Sequence, residues 1–136
     1  MQNRRGFTLI EILLVVIIIG ALAAMVVPRF AGRSEQAKQS VAKADIETNL
    51  ATALKLYELD NGNFPTTNQG LESLVTRPTA PPVPKNWQGP YSERSALDPW
   101  GHPYVYVCPG EHRSDYDLFS KGKDDSKEDD DIVNWK

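Results

Sequence analysis

The chain has 136 residues, of which 40% are apolar and 24% charged, with a net charge of −3. That composition is of a folded protein with room for one small domain, which excludes an intrinsically disordered chain. The acidic balance, without a basic patch, excludes a nucleic-acid binder, and no phosphate-binding glycine loop or serine-nucleophile motif is present.

The averages conceal a division. From Ile12 to Val27 there is no charged residue, whereas the rest is polar, proline-rich and increasingly acidic. The apolar run from Phe7 to Val27 measures 21 residues; at about 1.5 Å per residue a helix of that length reaches about 31 Å, the thickness of a bilayer's hydrocarbon core. Arg4 and Arg5 precede it with no acid among them, so the N-terminus is expected in the cytoplasm and the remainder across the membrane. One carboxylate, Glu11, sits inside the run. On insertion scales a buried charge costs about 2.5 to 3.5 kcal/mol, so Glu11 needs a partner or a task.

A cleaved secretory signal competes with this reading, because the start is basic, the centre apolar, and Ala21-Leu22-Ala23 forms a small-x-small cleavage site. Against it stand Glu11 within the apolar centre and a helical pattern that continues past Pro28. Gly20 and Pro28 weaken the helix by about 1 and about 3 kcal/mol relative to alanine, so the stretch between them is expected to be its least secure part. Either a plain kinked membrane helix or a functional unwinding during assembly fits that pair.

After Pro28, residues Phe30, Ala37, Val41 and Ala44, then Ile46, Leu50, Leu54 and Tyr57, recur close to a helical face. Asp60-Asn61-Gly62 supplies the stop, with glycine or asparagine for the left-handed cap. Residues 68–75 predict a short helix with Leu71, Leu74 and Val75 on one side, and five prolines between 78 and 90 forbid regular structure. Tyr104 to Cys108 alternates and is aromatic and β-branched, which predicts a strand; a turn at Pro109-Gly110 leads to a second strand around Tyr116 to Ser120. The expected class is therefore α+β: one long helix, its first half in a membrane, packed on a small antiparallel sheet in a lollipop shape.

Residues 124–131 hold six acids and one lysine. Such a run is ordinarily a solvated tail, since like charges repel. Here Ile132, Val133 and Trp135 follow directly and require burial, so the loop is expected to be pinned at both ends. Concentrated carboxylates also suit Ca²⁺, although the spacing is not an EF-hand. Cys108 is the single cysteine, so no internal disulfide forms, and its alternating position predicts a buried strand residue. His102 and His112 are too few and too differently placed for a metal triad or a catalytic pair.

Gly6-Phe7-Thr8-Leu9-Ile10-Glu11, behind a short basic leader and ahead of an apolar helix with Pro28, resembles the N-terminus of type IV pilins and pseudopilins. The resemblance implies cleavage after Gly6 by a prepilin peptidase, methylation of the new amine on Phe7, and an assembly role for Phe7, Glu11 and Pro28. It divides the chain into a leader (1–6), a transmembrane and assembly helix (7–28), an amphipathic continuation (29–61) and a periplasmic globular domain (62–136). Loss of Arg4 and Arg5 with the leader would take the net charge from −3 to −5. An ammonium at Phe7 and a carboxylate at Glu11 suit one another across neighbouring subunits, and a single polar contact in an apolar bundle fixes its axial stagger.

A narrower resemblance covers nearly the whole chain. Leu59-Asp60-Asn61-Gly62 with Phe64-Pro65, Gln69-Gly70-Leu71, Lys85-Asn86-Trp87, Asp98-Pro99-Trp100-Gly101-His102-Pro103-Tyr104, Tyr116-Asp117-Leu118-Phe119-Ser120 and Asn134-Trp135 are similar to the major pseudopilins of type II secretion systems. That family implies the main structural subunit, not an enzyme, of a periplasmic pseudopilus that moves folded exoproteins across the outer membrane of a Gram-negative bacterium. It implies a single pass of the inner membrane with the C-terminal domain in the periplasm. The implied partners are further copies of itself, minor pseudopilins, the inner-membrane assembly platform and the prepilin peptidase. It also implies one structural Ca²⁺ in the acidic loop, held by the Lys121 backbone carbonyl and by Asp124, Asp129 and Asp131. A true type IV pilin, for adhesion, motility or DNA uptake, is the alternative; such pilins usually close their C-terminal region with a disulfide, which one cysteine cannot do.

Overall fold

The computed structural model describes residues 6–124, 126 and 131–136, with the side chains of 28–31 excepted. The chain divides into two compact units, Met1–Ala37 and Lys38–Lys136. Helix α1 (Leu9–Ala44) leads through a π-helical turn (Asp45–Asn49) into helix α2 (Leu50–Asn61). A 3₁₀ turn (Leu71–Leu74) follows, then strands β1 (Val105–Val107), β2 (Asp117–Ser120) and β3 (Ile132–Val133). The fold class is α+β.

Helix α1 begins at Leu9, two residues later than the apolar run suggests, because Thr8 and Glu11 cap it reciprocally. The Thr8 hydroxyl accepts from the Glu11 N–H at 3.3 Å, and the Glu11 carboxylate accepts from the Thr8 N–H at 3.4 Å. This is a capping box: the Glu11 N–H is shared between the Thr8 hydroxyl and the Thr8 carbonyl, the latter at 3.1 Å, and the Thr8 N–H is met by the Glu11 side chain. The apolar residues that follow face outwards all round the helix: Leu9, Ile12, Val16, Ile19, Leu22 and Met25 are all exposed. Helical backbone runs from Leu9 to Asn61, long and apolar enough in its first part to cross a membrane, and none of that part is buried within the chain.

Gly20 and Pro28 lie inside continuous helix; the departure from α geometry comes later, at Asp45–Asn49. The expected stripe is corrected at its start. Ala42, fully buried, stands four residues before Ile46 and so shares its face with Leu50, Ala53, Leu54 and Tyr57, whereas Val41, Ala37 and Ala44 stay exposed. Phe30 lies outside the described side chains. Helix α2 stops where expected: Gly62 takes φ 82°, and its N–H bonds to the Glu58 carbonyl at 2.7 Å.

Against the buried face of α2 pack Leu71, Leu74, Tyr104, Tyr106, Tyr116 and Leu118, with Trp87 and Tyr91 at the margin. Helix 68–75 is only the one 3₁₀ turn. The proline-rich stretch forms no regular element. Prolines donate no N–H, so their carbonyls are met by side chains instead: Gln69 Nε2 donates to Ala80 and Pro82 carbonyls at 2.8 and 2.9 Å, and Arg77 to that of Pro84 at 2.8 Å. Tyr91 donates to Asp60 at 2.8 Å and Trp87 Nε1 to the Ser73 carbonyl at 2.9 Å, tying this stretch to the helices.

The sheet is antiparallel in the order β1-β2-β3, with Tyr106 opposite Leu118 and Phe119 opposite Val133. β1 and β2 fall inside the predicted strands; β3 was not foreseen. Cys108 lies one residue past β1 and is half-buried, not buried in a strand as alternation suggested, with Sγ 3.5 Å from the Asp115 carbonyl. The cause is the turn that begins at Pro109, which ends the pleat. The turn closes on Asp117. Its buried carboxylate accepts from the N–H groups of Glu111, His112 and Arg113 at 2.9, 2.9 and 3.0 Å and from His112 Nδ1 at 2.8 Å. Only glycine fits at 110, where a Cβ would stand 2.5 Å from the Arg113 carbonyl and 2.7 Å from the Asp117 carboxylate.

Burial pushes the Asp117 carboxyl up, but the His112 side chain and the three backbone donors outweigh it and hold the group below the usual carboxylate range. A carboxyl whose pKa is lower folded than unfolded contributes stability above its unfolded pKa, about 3.9, and loses it as pH falls through the lower folded value. The fold is therefore expected to lose stability as the pH falls from about 4 towards Asp117's lower folded pKa. Asp117→Asn should remove much of that slope in acid melts followed by circular dichroism; an unchanged slope contradicts the assignment.

Candidate functional site

Two regions hold the residues that the sequence singles out. The first is the head of α1. Gly6 precedes the helix with nothing within 4 Å of where a side chain would stand, and Phe7 beside it is 82% exposed. Among the described residues nothing covers the peptide between them. Glu11, one turn on, is held by the Thr8 capping box and otherwise faces outwards. The Thr-x-x-Glu spacing that announces this cap was legible in the sequence and went unread. Arg4 and Arg5 lie outside the described residues, and Pro28 is described only as helical backbone.

The second region is the acidic loop between β2 and β3. Its exit is pinned by Asn134, which uses every polar group it has. Asn134 Oδ1 accepts from the Leu118 N–H at 3.0 Å, and its Nδ2 donates to the Tyr116 carbonyl at 3.1 Å. The Asn134 N–H donates to the Leu118 carbonyl at 3.1 Å, and its own carbonyl accepts from Arg113 at 3.2 Å. Trp135 then stacks on the His112 ring at 4.1 Å and meets Phe119 edge-on. The expected pinning by Ile132, Val133 and Trp135 is met, with Asn134 as its unforeseen centre.

The entry is held just as firmly. Asp98, buried, accepts from the Trp100 and His102 N–H groups at 3.0 and 2.8 Å and from the Ser120 hydroxyl at 2.6 Å. The Ser120 oxygen accepts from the Gly122 N–H at 3.1 Å, and His102 Nδ1 lies 3.0 Å from the Gly122 carbonyl. His102 and His112 therefore serve opposite ends of one loop and form no pair.

Of the four residues implied as calcium ligands, Lys121, Asp124 and Asp131 are described and Asp129 lies outside the described residues. Among the described residues no three carboxylate, imidazole or thiol side chains converge as a ready metal site. The donor chemistry nonetheless fits a hard cation, because it consists of carboxylate and carbonyl oxygens. Asp124 is ionised with ease: hydrogen bonds from Ser126 hold its carboxyl below the usual range.

With that geometry in place, the comparisons with known proteins agree with one another. Residues 29–135 match the family model described as type II secretion system protein G, and residues 1–27 match the prokaryotic N-terminal methylation motif. The type II secretion system core protein G of Pseudomonas aeruginosa is 51% identical over 99% of both chains. That of Escherichia coli K12 is 52% identical over 98% of this chain and 92% of its own. A crystal structure of the major pseudopilin from the type 2 secretion system of enterohaemorrhagic Escherichia coli superposes with a TM-score of 0.69 at 39% identity, covering 76% of this chain and 87% of that one. From its methylation motif to Trp135, the chain belongs to the type II secretion system protein G family.

Proposed function

We propose that this chain is the polymerising structural subunit of a pseudopilus, and that the polymer drives folded exoproteins across the outer membrane. The observation that carries the reading is the head of α1, where about twenty apolar residues face outwards and find no cover in the chain itself. A helix apolar all round belongs in lipid or among its own kind. Before assembly it would anchor the subunit in the inner membrane with the domain in the periplasm, and in the polymer it would bundle with further copies. Minor pseudopilins, the inner-membrane assembly platform and the prepilin peptidase are the other partners on this reading, and the role is mechanical rather than enzymatic. The type IV pilin alternative is not favoured, since the relatives are named for the secretion system.

Processing would cut after Gly6 and leave an amine on Phe7, beside the positive end of the helix. Glu11 offers the matching charge. Its capping contacts are long, 3.3 and 3.4 Å, so it can exchange the Thr8 N–H for the amine of a neighbour. Each charge then offsets the desolvation of the other, and one stagger between subunits is selected. In the acidic loop, Asp124, Asp129, Asp131 and the Lys121 carbonyl would hold one Ca²⁺. The ion would offset the negative charge that six acids leave in excess of one lysine.

Mass spectrometry of the protein from host membranes is expected to find a chain beginning at methylated Phe7; one beginning near Ala24 would discard Glu11 and sink the assembly reading. Glu11→Ala removes one side of the pair, a loss of about 3 to 5 kcal/mol per contact, and should abolish polymers seen by electron microscopy while leaving the subunit in the membrane. Calcium at a hundredfold above its Kd should stabilise the chain by about 2.7 kcal/mol; a melting temperature identical in excess calcium and in chelator removes the ion from the proposal.

A further inference from the structure

Building on the calcium reading above, we propose that Asp98, Ser120 and His102 are positioning residues for the acidic loop: together they set the direction in which the Lys121 carbonyl is offered to the cation. None of the three is among the expected ligands.

The argument runs through one peptide plane. Lys121 C=O and Gly122 N–H belong to the same planar, trans unit, so they point in opposite directions. Whatever fixes the N–H fixes the carbonyl. The N–H is fixed by Ser120, fully buried at the end of β2. The Ser120 hydroxyl has one proton and spends it on Asp98 Oδ2 at 2.6 Å, so it turns a lone pair to the Gly122 N–H at 3.1 Å. Asp98 thus decides the polarity of the serine, and the serine decides the plane.

His102 acts on the next peptide. The Gly122 carbonyl can only accept, so the ring nitrogen 3.0 Å from it, Nδ1, carries the proton. Gly122 is held from both its polar groups at φ 73°, a left-handed conformation in which glycine alone is unstrained. The clamp itself is rigid. Asp98 and His102 bond each other twice through the backbone turn, Asp98 N–H to the His102 carbonyl at 2.8 Å and His102 N–H to Asp98 Oδ1 at 2.8 Å. Two side chains, Ser120 and His102, meet on the single residue that follows an expected backbone ligand, and Asp98 orients the first of them. Partners that orient ligands from outside a metal site typically carry 10- to 100-fold of its affinity.

The test uses the full chain in detergent micelles, as wild type, Ser120→Ala, His102→Ala and His102→Asn. Ca²⁺ affinity is read by calorimetry, and Tb³⁺ luminescence lifetimes count the waters on the bound ion. Both alanine variants should bind Ca²⁺ about tenfold or more weakly and carry one additional water on Tb³⁺, the place of the lost carbonyl. His102→Asn, which returns an N–H to the position of Nδ1, should restore both readings, as a merely structural role would not require. Folded alanine variants with wild-type affinity and hydration overturn the proposal. If Ser120→Ala does not fold, the His102 pair decides alone. A wild-type chain that takes up no Ca²⁺ overturns the calcium reading itself, and this inference with it.

Discussion

Everything about this chain follows from a stretch of helix that it cannot bury. A soluble domain hides its apolar residues in its own interior, yet here the longest apolar segment has no interior to enter. Burial of one valine, leucine, isoleucine, phenylalanine or methionine is worth about 1.5 to 3 kcal/mol, so the fifteen such side chains exposed between Phe7 and Val27 demand an external apolar phase at every stage. Lipid and a bundle of sister helices are the two phases that meet this demand. Exchange between them costs little in hydrophobic terms, so in the proposed assembly the few polar groups at the head of the helix would decide where each subunit stops.

The domain shows the opposite economy. Its strands have three, four and two residues, too few for ladder bonds to hold much chain. Cohesion comes instead from side chains that bond backbone: Gln69 under the prolines, Asp117 in its turn, Asp98 and Ser120 at one end of the acidic loop and Asn134 at the other. Buried tyrosines supply much of the core, and two of them engage their polar tips. Tyr104 donates to Asp45 at 2.9 Å and Tyr106 to the Pro65 carbonyl at 2.7 Å, and burial raises both hydroxyl pKa values so that each remains a donor.

How much of this was legible depended on whether the signal was local. The apolar span, the Gly62 stop and the two longer strands each follow from a few adjacent residues, and all were read. The processing motif is legible by resemblance, and the Thr8–Glu11 cap in the same six residues is legible from its Thr-x-x-Glu spacing. The π-helical turn leaves no compositional mark, and a loose periodicity admits Val41 where a step of four back from Ile46 selects Ala42. β3 is too short for alternation to register. The loop's supports were invisible for another reason: Asp98 and Ser120 stand 22 residues apart, and only the fold brings them together.

The brevity of the sheet has a bearing on how a polymer of this chain keeps a single form. Any sheet exposes two edges, and an unpaired edge is a template on which another copy can add a strand. Here one edge is a strand of two residues, after which Asn134 turns its amide inwards to Leu118 and Tyr116 rather than presenting a backbone row. The other is three residues long and begins two residues after Pro103, which cannot donate. Neither is long enough to nucleate cross-β growth. In a crowded array of identical domains, edge-to-edge pairing would be a rival mode of association and, once begun, a hard one to reverse. By blunting both edges the domain stays inert towards its copies through its sheet.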